Sequence, residues 1–263
     1  MSKYREYLNG EFCGEHIMRA YLDPDHEEQE TATQKMRMGR RFEFLAGLTE
    51  EEEPQILTPT GRLASSNDHI EQQAREVKAH LFDLEKNRGW KVIGKQVELK
   101  YEGADDFIYT GTADIVLEDE KGAIVIADTK LSGVVTRSYN GYGFEKDTIK
   151  NSKKMQFQPA SYVWLYYKMF GVIPEFEYWA YDSKALTNTR PRLIFSKEYI
   201  ESFGEQLEKD CLNLVTELEI TKRLDPIPGS DTCGWCPFKK GNEFGNRECE
   251  HFALESQHPI IKF

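Results

Sequence analysis

Residues 111–130 read GTADIVLEDEKGAIVIADTK, two β-like runs on either side of an acidic turn. Each run carries an aspartate, and the second ends in a lysine. Asp114, Asp128 and Lys130 therefore stand among Ile, Val and Ala, where a lone charge is expensive to desolvate. The EDEKG segment between the runs is a turn signal for a hairpin with a short loop. If the turn closes between Glu118 and Ala123, Asp114 lies opposite Ala127 or Asp128. Strand alternation points Asp128 and Lys130 the same way, so all three charged groups can converge on one face. The other face carries Ala113, Ile115, Leu117, Val125 and Ala127, a set suited to burial against a helix.

Two carboxylates a few ångströms apart repel unless a cation or a proton sits between them. Mg²⁺ resolves the conflict, because it prefers hard oxygen ligands and accepts one or two carboxylates together with waters. Lys130 beside such an ion could orient a water or stabilise negative charge developing on a phosphate. The alternative is a buried Asp–Lys ion pair that serves only the fold. Buried ion pairs seldom gain net stability, which favours the metal reading.

Outward from the hairpin, the chain alternates helical and extended patterns. Residues 4–22 read as a short helical segment with Tyr7, Leu8 and Phe12 as its apolar positions, and 35–48 as a second helix. The acidic run 50–53, followed by Pro54, is a solvated loop. Residues 67–86 place Ile70, Ala74, Val77, Leu81 and Leu84 at helical spacing, with Ser65, Ser66 and Asn67 available as caps. Strand patterns cover 91–101, 106–118 and 122–130. Residues 146–170 are helical and stop at Gly171, with Pro174 just beyond. Strands follow at 175–181 and 192–195, and Ser196 can cap a long helix with Ile200, Phe203, Leu207, Cys211, Leu214 and Leu218 on one side. That order predicts a mixed α/β core with helices on both faces. Residues 1–224 read as the core with its N-terminal helical segments, and 225–263 as a small module rich in Pro, Gly and Cys.

A chain of 263 residues is long enough for one large single-core domain or a domain with a small appendage, and 39% hydrophobic with 12% aromatic content fits a soluble globular protein. Its longest apolar stretch, YVWLYYKMFGVI, contains Lys168 and is too short to span a bilayer. The N-terminal MSKYREYLNGEF has no signal-peptide core, so a cytoplasmic location without membrane contact is expected. A net charge of −11 argues against non-specific coating of nucleic acid, but a local field in a cleft can outweigh the sum.

The five cysteines are unlike a disulfide framework in a reduced compartment. Cys211 sits on an apolar helical stripe and reads as a small buried hydrophobe. Cys13, Cys233, Cys236 and Cys249 are four thiols that could hold an iron–sulfur cluster or a structural zinc, with unligated thiols as the third reading. Spacing alone does not choose among these, and His251 is a nearby substitute ligand or an incidental neighbour.

An Asp on one strand, then acid–x–Lys on the next across a hairpin, resembles the core of the PD-(D/E)XK nuclease superfamily. Gly39-Arg-Arg-Phe-Glu43 resembles the N-terminal helical motif of its RecB-like branch, in which a Gly is followed four residues on by a metal-binding His. Here Glu43 holds that place and keeps a metal ligand. Gln158-Pro-Ala-Ser-Tyr162 resembles the Gln-x-x-x-Tyr helix of the same branch. The cysteine set is similar to that of CRISPR-associated RecB-like exonucleases and AddB-type nuclease subunits, where one Cys precedes the core and three follow it.

This resemblance implies a restriction-endonuclease-like mixed central sheet flanked by helices. It implies Mg²⁺ or Mn²⁺ held by Glu43, Asp114, Asp128 and the main-chain carbonyl of Thr129, with a water acidified by the ion attacking a DNA phosphodiester in line. Lys130 would position or deprotonate that water, while Gln158 and Tyr162 would support the site or the substrate strand. The four cysteines would hold a [4Fe–4S] cluster, with zinc as the alternative, tying the tail to the N-terminus.

Pro159 disfavours helical geometry at Gln158, so a helix either begins there or is kinked. If it continues, Lys150, Lys154, Gln158 and Tyr162 share a face, a basic ridge able to contact phosphates. A solvated lysine cluster is the alternative, and Arg40 and Arg41 beside Glu43 face the same choice. The expected activity is an exonuclease on single-stranded DNA or free DNA ends, in recombination or repair, with protein partners unspecified. A non-cleaving nucleic-acid-binding or assembly subunit, or an enzyme acting on another substrate, are the competing readings.

Overall fold

The computed structural model describes residues 34–103, 107–132 and 149–221. The helix expected over 4–22, the four cysteines of the ligand set and the tail from 225 lie outside them. The chain divides into two compact units, Ala32–Gly204 and a second made of Met1–Thr31 with Glu205–Phe263. The elements in order are α1 (Gln34–Ala46), α2 (Ser66–Asn87), β1 (Lys91–Glu102), β2 (Ile108–Glu118), β3 (Ile124–Ser132), α3 (Ile149–Phe170), β4 (Glu175–Asp182), β5 (Asn188–Thr189), β6 (Arg192–Leu193) and α4 (Lys197–Thr221).

The six strands form one mixed sheet in the order β1-β2-β3-β4-β5, with β6 also paired to β4. The first three strands are antiparallel neighbours, while β3 and β4 run parallel across the α3 crossover. Parallel neighbours need such a crossover, since no tight turn can return the chain to the same end of the sheet. The expected hairpin is present. Asp119 accepts hydrogen bonds at Oδ1 from the backbone of Lys121 (2.9 Å) and Ala123 (2.8 Å), and Gly122 supplies the left-handed residue at φ +81°. The β2–β3 register pairs Ile115 with Ala127, so its continuation sets Asp114 opposite Asp128.

The core on one side of the sheet is apolar. Ile115, Leu117, Val125 and Ala127 pack with Phe42 and Ala46 of α1 and with Ile70, Ala74, Val77, Leu81 and Leu84 of α2. This is the helical stripe read from the sequence, and full burial of each aliphatic side chain contributes roughly 1.5–3 kcal/mol. The N-terminus of α2 differs from expectation. Ser65 makes no capping bond, and Asn67 instead accepts from Ile56 N and donates to the carbonyls of Ile56 and Ala64, at 2.9–3.0 Å. That carboxamide pins the preceding loop to the helix.

On the other side, Trp164 of α3 meets Tyr101 and Tyr109 edge-on at 5.4 and 5.1 Å. The first turns of α4 approach α3 so closely that a Cβ at Gly204 would stand 1.9 Å from Trp164 Nε1. α3 runs through Pro159 without ending. At its end, Gly171 (φ +71°) donates to Tyr167 O at 2.8 Å. α4 starts as expected, with Tyr199 N bonded to Ser196 Oγ at 3.2 Å, and Cys211 on it is buried.

One expectation about the strands changes. Ala113 is buried but stands outside the α1–α2 cluster that takes Ile115 and Leu117, and Gly111, of the same parity, abuts Tyr162 of α3. Strict alternation therefore breaks near Asp114. On β1, Gln96 falls between the pairs Lys95–Ile115 and Val97–Ala113, and it has φ +47°. A left-handed non-glycine residue inside a strand interrupts its period-2 order.

Candidate active site

β3 carries the centre of the site because it is buried through its middle. Val125, Ile126 and Ala127 have no exposed surface, and Asp128 and Thr129 are only 1% and 4% exposed. The β2–β3 ladder ends at Ile115–Ala127, and beyond it the Asp114 carboxylate replaces main-chain pairing. Its Oδ2 accepts from Thr129 N at 2.7 Å and from Thr129 Oγ1 at 2.8 Å. Those bonds fix Asp114 beside the acid on the next strand.

Asp128 is held from two sides. Lys130 Nζ forms an ion pair with Oδ2 at 2.6 Å, and Gln158 Nε2 of α3 donates to Oδ1 at 3.2 Å. The same Nε2 donates to Tyr162 Oη at 3.2 Å, which sits one helical turn on. Lys130 reaches the acid from a partly exposed position, so its ammonium can also meet solvent.

The electrostatics mark a shortage of positive charge. Burial, reinforced by Asp114 and opposed by Lys130, pushes Asp128 up to about 6. Glu43, half-buried on α1, is pushed up to about 7, first by burial and then by Asp114, with Asp128 adding and Lys130 and Arg40 opposing. Burial also raises the Tyr162 phenol. The three acids thus feel one another, although among the described residues no three acidic, His or Cys groups close into a ready metal cage. An ion such as Mg²⁺ keeps several waters and binds through one or two carboxylates. Two acids fixed on neighbouring strands, with Glu43 and Asp128 both raised by burial and by the charge of Asp114, fit such a cation.

The structure thus brings Glu43, Asp114, Asp128, Thr129, Lys130, Gln158 and Tyr162 together. It separates the two arginines. Arg40 is exposed, whereas Arg41 is buried, donating to Glu53 O at 3.2 Å and pairing with Glu71 at 3.4 Å. Arg41 therefore ties α1 to the following loop and to α2, and has no open side for a phosphate. The side chains of Lys150 and Lys154, like Cys13, Cys233, Cys236 and Cys249, lie outside the described residues. Sequence reasoning missed Gly111, although a glycine inside a strand is a signal of close approach by another element. No described helix is long and apolar enough to cross a membrane.

Comparison with known proteins agrees with this geometry. A family model described as the PD-(D/E)XK nuclease superfamily matches residues 16–240. No curated protein sequence matches the chain. Among solved structures, the "Putative exonuclease" of Eubacterium rectale superposes with a TM-score of 0.55 at 14% identity, covering 100% of this chain and 88% of its own. At that identity the likeness concerns the fold. The protein SSO0001 aligns over 76% of this chain and 90% of its own at 15% identity, with a TM-score of 0.31.

Proposed function

We propose, from the premise that this chain belongs to the PD-(D/E)XK nuclease superfamily, that it is a RecB-like deoxyribonuclease dependent on Mg²⁺ or Mn²⁺, acting as an exonuclease on single strands or free DNA ends. The observation that carries this reading is the buried Asp128–Lys130 pair beside Asp114, held where the β2–β3 ladder gives way to side-chain bonds. Asp114, Asp128, Glu43 and the Thr129 carbonyl would hold the ion. When bound, it supplies Lewis acidity and lowers the pKa of a coordinated water.

The chain's own groups then have distinct tasks. Lys130, anchored to Asp128 but partly solvated, orients the attacking water and faces the negative charge that grows on the phosphate. Gln158 fixes Asp128 by donating to Oδ1 while Lys130 pairs with Oδ2. Tyr162 fixes Gln158 in turn. Glu43, raised by burial and by Asp114 in the metal-free protein, would be drawn to its charged form as a ligand of the ion. Arg40, exposed on the same helix as Glu43, would meet a phosphate, and Lys150 and Lys154 would extend that contact along α3.

For the remainder of the chain, Cys13, Cys233, Cys236 and Cys249 would hold a [4Fe–4S] cluster that joins the 225–263 module to the N-terminus, with zinc as the alternative. An anaerobic absorption spectrum tests it: a broad visible band is expected, and a colourless protein with stoichiometric zinc would refute the cluster. The nuclease is tested with end-labelled single- and double-stranded DNA in Mg²⁺, Mn²⁺ or EDTA. Metal-dependent release of short products from ends is expected. DNA binding without any cleavage would leave the protein an assembly subunit.

A further inference from the structure

Gly111 lies three residues before Asp114 on β2, and none of the tasks above uses it. It is not among the glycines with positive φ, so conformational freedom does not explain it. Space does. A Cβ at this position would stand 2.9 Å from Tyr162 Cε1, 3.2 Å from Tyr162 Cδ1 and 3.3 Å from Leu165 Cδ1. The first distance is closer than side chains sustain, so a methyl group here must displace the ring.

The ring has no simple retreat. The fully buried Phe176 stands beside it with centroids 6.3 Å apart, and its hydroxyl is bonded to Gln158 Nε2. The other bond of that nitrogen goes to Asp128 Oδ1. One side-chain amide therefore links the phenol to the central carboxylate, and displacement of one end must move or break the other.

We propose that Gly111 is a positioning residue: its missing side chain seats the Tyr162 ring, and through Gln158 that seat fixes the Asp128 carboxylate. The inference rests on the nuclease reading of Asp128 for its effect on turnover, but the seating itself does not. A carboxylate misplaced by about an ångström costs on the order of 100-fold in rate, so a small shift of the ring is enough to matter.

The test follows the Gln158 side-chain amide by NMR in ¹⁵N-labelled, metal-free protein, assigned by its loss in Gln158→Leu. Gly111→Ala should shift this resonance, and should not shift it once Tyr162→Ala has removed the ring. In parallel, Gly111→Ala should lower kcat for end-labelled DNA roughly 10- to 100-fold with KM little changed. Gly111→Ala/Tyr162→Ala should be no slower than Tyr162→Ala alone. An unmoved Gln158 resonance, or losses that multiply in the double variant, would overturn the proposal. If Gly111→Ala does not fold, the double variant should, because the ring no longer occupies the space; failure of both would also overturn it. If the unmodified protein cleaves no DNA with any metal, the nuclease reading falls, and the amide resonance still decides the role of Gly111.

Discussion

The two halves of β3 are buried alike and built in opposite ways. Val125, Ile126 and Ala127 have neighbours on both strands and apolar surroundings, and Asp128 and Thr129, almost as deep, carry a charge and a hydroxyl. The first half stabilises the sheet by removing apolar surface from water. The second half accepts a buried carboxylate raised by its surroundings and tied to an ammonium group. A sheet of uniform polarity would be more stable, so the cost is concentrated where chemistry is proposed. Buried acids whose pKa is strongly perturbed tend to mark such sites.

The contrast is broken most severely by Asp128→Asn or Lys130→Ala. Either should reduce cleavage by roughly 10³-fold or more, the scale of losing a main charge-stabilising group, and end-labelled DNA in Mn²⁺ would measure it. Full cleavage by either variant would remove the second half of β3 from the mechanism. Ile126→Ala attacks the first half instead. It should destabilise the protein by about 2–5 kcal/mol in denaturant titration, and the fraction that remains folded should keep its metal dependence.

A gentler probe is pH. Asp128 and Glu43 have folded-state values of about 6 and about 7, above their ordinary 3.8 and 4.5. The folded protein therefore holds more protons than the unfolded chain between these limits. The associated stability is present below about pH 4 and is lost as pH rises through 6 and 7. In EDTA, Tm should fall between pH 5 and pH 8; Mn²⁺ should recover most of the loss, and Asp128→Asn should flatten the profile. A metal-free Tm that rises over this interval would contradict the electrostatic account. The smallest effect concerns the two arginines. Arg40→Ala should weaken DNA binding a few-fold and lower its salt dependence, whereas Arg41→Ala should lower Tm and leave the salt dependence unchanged.

The hairpin and its converging charges were legible because alternation, a turn-forming EDEKG and three charges in apolar runs all give the same answer. The α2 stripe was legible for the same reason, with Ile70 through Leu84 spaced for one face. Legibility ended where a local irregularity or a distant partner decides. Strict alternation grouped Ala113 with Ile115, and nothing in the residue types announced the left-handed Gln96 across from Asp114. The pattern of charges could not tell Arg40 from its buried neighbour Arg41, because the partners Glu53 and Glu71 lie in a separate loop and helix. Ser65, Ser66 and Asn67 all stood available as caps; Ser65 makes no capping bond, and Asn67 is tied to the loop backbone. The two-residue strand Asn188–Thr189 is too short to leave a period. Pro159 left two geometries open, and the helix simply continues through it.

The parallel pairing of β3 with β4 has a consequence for biosynthesis. The proposed metal ligands are all translated by residue 129, yet β3 gains its second neighbour only after Glu175–Asp182 have been made. Long-range pairing of this kind forms late, after the intervening chain has closed its loop. A nascent chain halted inside α3 already contains every acid of the proposed site but lacks the strand that pairs with β3 along its second edge.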